Sequence, residues 1–173
     1  MASNSRLTAN KILDQLQNCG ITHVVWLPDS ESRFMYDSLL SRSEFTLVPV
    51  CREGEAIAIA MGLMLGGKKA VVLHQNTGFF ESGDSVRGLA LDLDLPLLLL
   101  IGYRGWRRDP PMTDSAAIFT EPILKAWNIN HYLIESDKDS GNIAIAYEEA
   151  QKTQKPVVIL IAVSYTHLRA HET

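Results

Sequence analysis

The chain has 173 residues, enough for one domain with a proper core, and its 46% hydrophobic and 21% charged residues are ordinary for a soluble globular protein. Sixteen Lys and Arg against twenty Asp and Glu leave a formal net charge of -4, which gives no whole-chain attraction to nucleic acid or to an anionic membrane. Cys19 and Cys51 are the only cysteines, which excludes a disulfide framework and a cysteine-rich zinc site. The first ten residues are polar and lack the apolar core of a signal peptide, and the longest apolar run is too short to span a bilayer. A cytoplasmic, reducing compartment is the expectation.

In chain order, Ile12, Leu13, Leu16 and Cys19 fall at helical spacing and stop at Gly20, a C-terminal cap. Residues 21–27 read as a strand ended by Pro28-Asp29. Ser30 or Ser32 is placed to cap a second helix carrying Phe34, Met35, Leu39 and Leu40. Residues 45–51 form the next strand. The helix after it, closed by Gly66-Gly67, is apolar all round: Ala56, Ile57, Ala58, Ile59, Ala60, Met61, Leu63 and Met64. Such a helix is normally buried on every side, often against a second subunit.

A third strand over 69–73 runs into a loop at 74–78, His74-Gln75-Asn76-Thr77-Gly78, and a helix over 83–93 follows. Residues 95–101 are a leucine-rich run of the kind found in central parallel strands covered on both faces. Residues 104–113 make a polar loop with three arginines. A helix over 115–127, breakable at Pro122, leads to a strand at 131–135, a helix at 142–153 and a last strand at 156–163. Six strands alternating with helices predict an α/β fold, a doubly wound and mainly parallel sheet with helices on both faces, in one domain over 1–163. Residues 164–173 change character abruptly. His167 and His171 stand four apart, as helical metal ligands would, but the segment reads as a non-native or disordered tail without function.

Ligands of open α/β sheets bind beyond the carboxyl ends of the strands. Three loops leave such ends, at 52–55, 74–78 and 103–109, bringing a carboxylate, an imidazole, side-chain amides and hydroxyls, and arginines to one edge. None is a metal or phosphate motif. Glu53, at the mouth of the apolar helix, is either a capping charge or a proton-handling group, and Glu55 points to nearly the opposite side. His74 is either inert at a strand end or a proton carrier. Arg104, Arg107 and Arg108 suit a tetrahedral oxyanion, or belong to a solvated loop or a subunit contact; Arg52 faces the same alternatives.

Arg52-Glu53-Gly54-Glu55-Ala56 through Gly62, then Gln75-Asn76-Thr77-Gly78, then Leu97-Leu98-Leu99-Leu100-Ile101-Gly102-Tyr103-Arg104-Gly105, resembles the pyrimidine-binding, N-terminal domain of thiamine diphosphate-dependent 2-oxo acid decarboxylases. Within that family the sulfopyruvate and phosphonopyruvate decarboxylases are most alike, in particular the separate α subunit of the former. The resemblance implies that Glu53 hydrogen-bonds the pyrimidine ring and promotes loss of the thiazolium proton, the cofactor then serving as electron sink while CO2 leaves. It implies that Gln75, Asn76, Thr77 and Gly78 line the cofactor, and that Arg104, Arg107 and Arg108 meet an anionic substrate. His74 departs from the subfamily, where a methionine is usual, and stands as a candidate proton shuttle by analogy with other decarboxylases.

The family holds its diphosphate and Mg2+ through a Gly-Asp-Gly sequence with a later asparagine. The nearest string here, Ser82-Gly83-Asp84-Ser85, lacks the second glycine. The resemblance therefore implies that a diphosphate-binding β subunit supplies the metal, with further copies of this chain in a higher oligomer and no metal ligand here. The alternatives are another thiamine diphosphate-dependent carboligase or lyase subunit, and a non-catalytic α/β assembly or regulatory module.

Overall fold

The computed structural model describes residues 6–109 and 111–162; the tail at 164–173, with His167 and His171, lies outside them. Six strands form one parallel sheet in the order β2-β1-β3-β4-β6-β5: β1 His23–Trp26, β2 Thr46–Pro49, β3 Ala70–Gln75, β4 Leu98–Gly102, β5 Asn130–Ile134 and β6 Val157–Ile161. The strands β4 and β6 are buried along their whole length, which is why they read as unbroken apolar runs. The edge strands β2 and β5 are partly exposed.

Helices cover both faces. On one side α1 (Ala9–Asn18), α2 (Tyr36–Leu40) and α7 (Asn142–Thr153) bury Ile12, Leu13, Leu16, Leu39, Ile143 and Ala146 against Val24, Val71, Leu98 and Ile159. On the other, α3 (Glu53–Leu65), α4 (Asn76–Glu81), α5 (Gly83–Ser85) and α6 (Ser115–Ala126) bury Ala56, Ile57, Ala60, Phe79 and Leu124 against Val25, Val72, Leu99 and Leu160. Gly20 follows the first helix at φ +75°, a conformation that favours glycine.

Four local expectations change. The second helix is short, because the Ser32 hydroxyl accepts the Trp26 indole N–H at 2.9 Å and a 3-10 turn at Arg33–Met35 precedes α2. No loop separates β3 from the next helix. Gln75 still pairs in register with Gly102, and α4 begins at Asn76. The helix expected over 83–93 is a single α turn followed by a π-helical turn at Val86–Leu91, where Gly88 weakens α-helical propensity. The fourth strand starts at Leu98, since Pro96 has no N–H for the ladder. Pro122, by contrast, lies inside an unbroken α6.

The α3 helix is covered on one side only. Ala56, Ile57 and Ala60 are buried, whereas Ala58, Gly62 and Leu65, spaced to share one face, are exposed, Leu65 to 77%. Leu99, fully buried at the centre of β4, anchors the layer beneath. Leu99→Ala is expected to lower the unfolding free energy by about 3 kcal/mol in urea denaturation, with the m-value unchanged.

Candidate functional site

The strand order reverses between β1 and β3, so the crevice of this sheet opens at their carboxyl ends. Glu53 enters that edge as the first residue of α3. Its N-cap, Arg52, is extended at φ -144° and ψ 144° and offers no side-chain acceptor for the free N–H groups of the first turn. One carboxylate from outside takes over: Glu81, from α4, accepts the Gly54 N–H at 2.8 Å while pairing with the Arg52 guanidinium, and Glu55 reaches back to accept the Cys51 N–H, ahead of the helix, at 3.2 Å. Glu53, half-buried between them, makes no capping bond of this kind.

The Glu53 side chain instead lies across Gly78. A β-carbon at Gly78 would stand 2.4 Å from Glu53 Cγ and 2.7 Å from Oε1, so only glycine permits the approach. This contact brings the Glu53 and Gln75–Gly78 segments together. Asn76 is buried and donates through Nδ2 to the Arg104 carbonyl at 3.0 Å and to Thr120 Oγ1 at 3.2 Å, tying α4 to the loop after β4 and to α6. Phe79 packs edge-on against Trp127 with ring centroids 5.7 Å apart, which seats the same helix. Gln75 and Thr77 are half-buried beside them.

His74 lies at the end of β3 rather than in a loop, and it is only 1% exposed. Its Nδ1 donates to the Gln75 carbonyl at 3.1 Å, leaving Nε2 as a bare acceptor with no partner among the described residues. Burial pushes its pKa down to about 4, so the ring is neutral near pH 7. A ring that neither meets solvent nor charges near neutrality has the features of a buried structural histidine.

The arginines divide. Arg104 pairs with Asp114 at 3.1 Å, and Arg108 with Glu135 at 2.6 Å. Arg107 is exposed and makes no ion pair among the described residues. Gly105, at φ +78°, folds the loop so closely that a β-carbon would stand 2.4 Å from Asp114 Cβ. The loop is therefore pinned to its own chain through two of its three guanidinium groups, each of which keeps N–H donors free for a second acceptor.

Sequence reasoning passed over two features. The segment after β1 places Asp29 and Glu31 at the crevice. Asp29 Oδ1 accepts the N–H groups of Glu31 and Ser32, both at 2.8 Å, while its buried Oδ2 has no hydrogen-bond partner among the described residues, and burial raises its pKa. Glu31 crosses the end of β4, where a β-carbon at Gly102 would stand 2.6 Å from its own. Polar residues directly after an apolar strand were the available signal. Glu81 is the second; it stands 29 residues beyond Arg52, between the loop expected at 74–78 and the helix expected from 83, so no local pattern marks it.

The model of the thiamine pyrophosphate enzyme N-terminal TPP binding domain matches residues 7–111. The chain belongs to this family. It is similar to the sulfopyruvate decarboxylase subunit alpha of Methanococcus maripaludis, 27% identical over 151 residues that cover 84% of this chain and 89% of the relative. The subunit alpha of Methanocaldococcus jannaschii is 25% identical over 156 residues, 89% of this chain and 92% of the relative. The phosphonopyruvate decarboxylase of Streptomyces hygroscopicus is 27% identical over 159 residues, 90% of this chain but 40% of that longer protein. Among solved structures, benzoylformate decarboxylase from Polynucleobacter necessarius superposes with a TM-score of 0.73 at 24% identity; this chain spans 30% of that one. That likeness carries the fold.

The residues present suit the cofactor end that such a domain binds. Gln75 Oε1 and Asn76 Oδ1 are buried acceptors without a donor among the described residues. An aminopyrimidine carries N–H donors that would satisfy acceptors of this kind, which are costly to bury alone. Among the described residues no group of three or more His, Cys, Asp or Glu could hold a metal ion, and no helix is long and apolar enough to cross a membrane.

Two outcomes are expected. Gly78→Ala will force the Glu53 side chain off its present path, seen as a displaced carboxylate in a crystal structure of the variant. His74, whose folded pKa lies below its unfolded value of about 6.5, keeps stability that is full above pH 6.5 and is lost as pH falls toward 4. The slope approaches about 1.4 kcal/mol per pH unit in that window. Denaturation of wild type and His74→Leu across pH 4–7 will show the difference between them shrinking with acid.

Proposed function

We propose that this chain is the pyrimidine-binding α subunit of a heteromeric thiamine diphosphate-dependent decarboxylase that acts on an anionic three-carbon 2-oxo acid, sulfopyruvate or phosphonopyruvate. The observation that carries the proposal is the contact of Glu53, first residue of α3, with Gly78 of the Gln75–Gly78 segment. It joins two of the three stretches on which the resemblance rests. The separate α subunits among the relatives, matched over about nine-tenths of their length, favour a partner subunit over a second domain.

When bound, thiamine diphosphate supplies the electron sink that accepts the pair released as CO2 departs. Glu53 would hold and return a proton at its carboxyl oxygens for the pyrimidine ring of the bound cofactor. Gln75, Asn76 and Thr77 orient that ring through the acceptors at the head of α4, and Gly78 keeps the floor flat enough for Glu53 to cross it. Arg107 is the guanidinium best placed to recruit the sulfonate or phosphonate, since Arg104 and Arg108 already hold carboxylates. His74 is read as a structural residue rather than a proton shuttle, its ring packed into the layer and its Nδ1 bonded to the Gln75 carbonyl.

The diphosphate and its Mg2+ are assigned to the partner β subunit. That subunit also covers the exposed face of α3, where Ala58, Gly62 and Leu65 stand in water in the single chain. The assembled enzyme is proposed to work in the cytoplasm and to contain further copies of this chain.

The test is reconstitution. This chain, purified with a diphosphate-binding subunit, is expected to release CO2 from sulfopyruvate or phosphonopyruvate with thiamine diphosphate and Mg2+, and neither subunit alone will do so. Glu53→Gln is expected to lower kcat by about 100-fold or more. Turnover by that variant at the wild-type rate would remove Glu53 from the mechanism. Arg107→Ala is expected to raise KM for the anionic acid more than it lowers kcat.

A further inference from the structure

One carboxylate outside the expected site holds both neighbours of Glu53. Glu81 closes α4, and its two oxygens divide between the residues that flank the candidate acid. Oε1 accepts from the Arg52 guanidinium, from Nε at 2.9 Å and also from Nη2. Oε2 accepts the Gly54 N–H at 2.8 Å. The Arg52 bond and the Gly54 amide both pull the Glu81 pKa down, so the clamp is an ionised carboxylate at neutral pH.

The sequence of α3 leaves room for this arrangement. An arginine at the N-cap has no side-chain oxygen to offer the second-position amide, and Glu81 of α4 supplies one. A β-carbon at Gly54 would crowd Ser85 Oγ at 3.1 Å but meet Glu81 Oε2 at an ordinary 3.5 Å. The helix that supplies Glu81 also supplies Gly78, across which the Glu53 side chain lies. A single short helix thus sets residue 53 by its side chain and residues 52 and 54 by a carboxylate.

We infer that Glu81 is a positioning residue for the decarboxylase reaction, aiming the Glu53 carboxyl by fixing the peptide groups on either side of it. The inference rests on the reading of Glu53 as the proton-handling group. The Arg52 arm contributes little by itself, since Arg52 is largely exposed and a solvated ion pair is weak. The bond to the Gly54 amide is the part that sets direction, and a displacement of about 1 Å at a reacting group is enough to cost about 100-fold in rate.

Three variants of the reconstituted complex separate aiming from mere stabilisation. Glu81→Ala is expected to lower kcat about 10- to 100-fold with KM for the 2-oxo acid nearly unchanged. Glu81→Gln keeps a carbonyl oxygen for Gly54 and recovers much of that loss. Arg52→Ala removes the ion pair and leaves Glu81 to accept the Gly54 amide, so it loses far less kcat than Glu81→Ala. Amide hydrogen exchange in the full chain supplies a readout independent of turnover: Gly54 exchanges faster in Glu81→Ala than in wild type or in Arg52→Ala. If an active complex keeps its kcat and its Gly54 protection in Glu81→Ala, or if Arg52→Ala loses as much kcat as Glu81→Ala, the inference is overturned alone. A wild-type complex that turns over no 2-oxo acid overturns the functional reading and this inference with it.

Discussion

The contact of Glu53 with Gly78 is the constraint around which this edge of the sheet is arranged. Two helices leave strands β2 and β3, and their first turns can meet only if one of them offers bare backbone. Gly78 does so, and the space that a methyl group would fill is taken by the Glu53 side chain. The rest of α4 is anchored to keep that approach fixed. Phe79 is seated on Trp127, and Asn76 bonds the carbonyl of Arg104 and the hydroxyl of Thr120. The strands, the arginine loop and α6 are thereby referred to the same short helix.

The parallel sheet was legible because its central strands are buried on both faces. Leu98–Gly102 and Val157–Ile161 admit no polar residue, and amphipathic stretches such as Ile12, Leu13 and Leu16 alternate with them. What escaped was the junction of β3 and α4. Polar residues His74, Gln75, Asn76 and Thr77 look like a loop by composition, yet each is placed by tertiary contact. His74 is packed into the layer, Gln75 continues the ladder beside Gly102, and Asn76 satisfies a carbonyl from another loop. Local propensity is a weak guide where a strand passes straight into a helix at a binding edge.

The candidate site was readable in part for a similar reason. Glu53 stands out by local contrast, a carboxylate at the head of an apolar helix, and Gly78 by its place in a polar string. Glu81 carries no such contrast, since its significance comes from Arg52 and Gly54, distant in sequence and adjacent only in the fold. The arginines misled in the opposite sense. A cluster in sequence suggests a cluster of free charge, but Arg104 and Arg108 are held by Asp114 and Glu135, acids that lie 10 and 27 residues further along.

The same pairing explains why this chain is suited to one end of its cofactor. A diphosphate is drawn to helix N-termini with free N–H groups and to unopposed positive charge. Here Glu81 accepts the Gly54 N–H at the α3 start, with Glu55 beside it, and Asp114 accepts the Ala116 N–H at 2.9 Å at the α6 start. Those negative charges would repel a diphosphate at these two helix starts, whereas the α4 start, with Gln75 as its N-cap, carries no side-chain cap. Besides the exposed Arg107, the crevice offers a ligand buried acceptors unpartnered among the described residues, among them Gln75 Oε1, Asn76 Oδ1 and Asp29 Oδ2, with the Glu53 carboxyl beside Gly78. Acceptors suit a donor-bearing heterocycle, which supports the proposed division of labour with a diphosphate-holding partner.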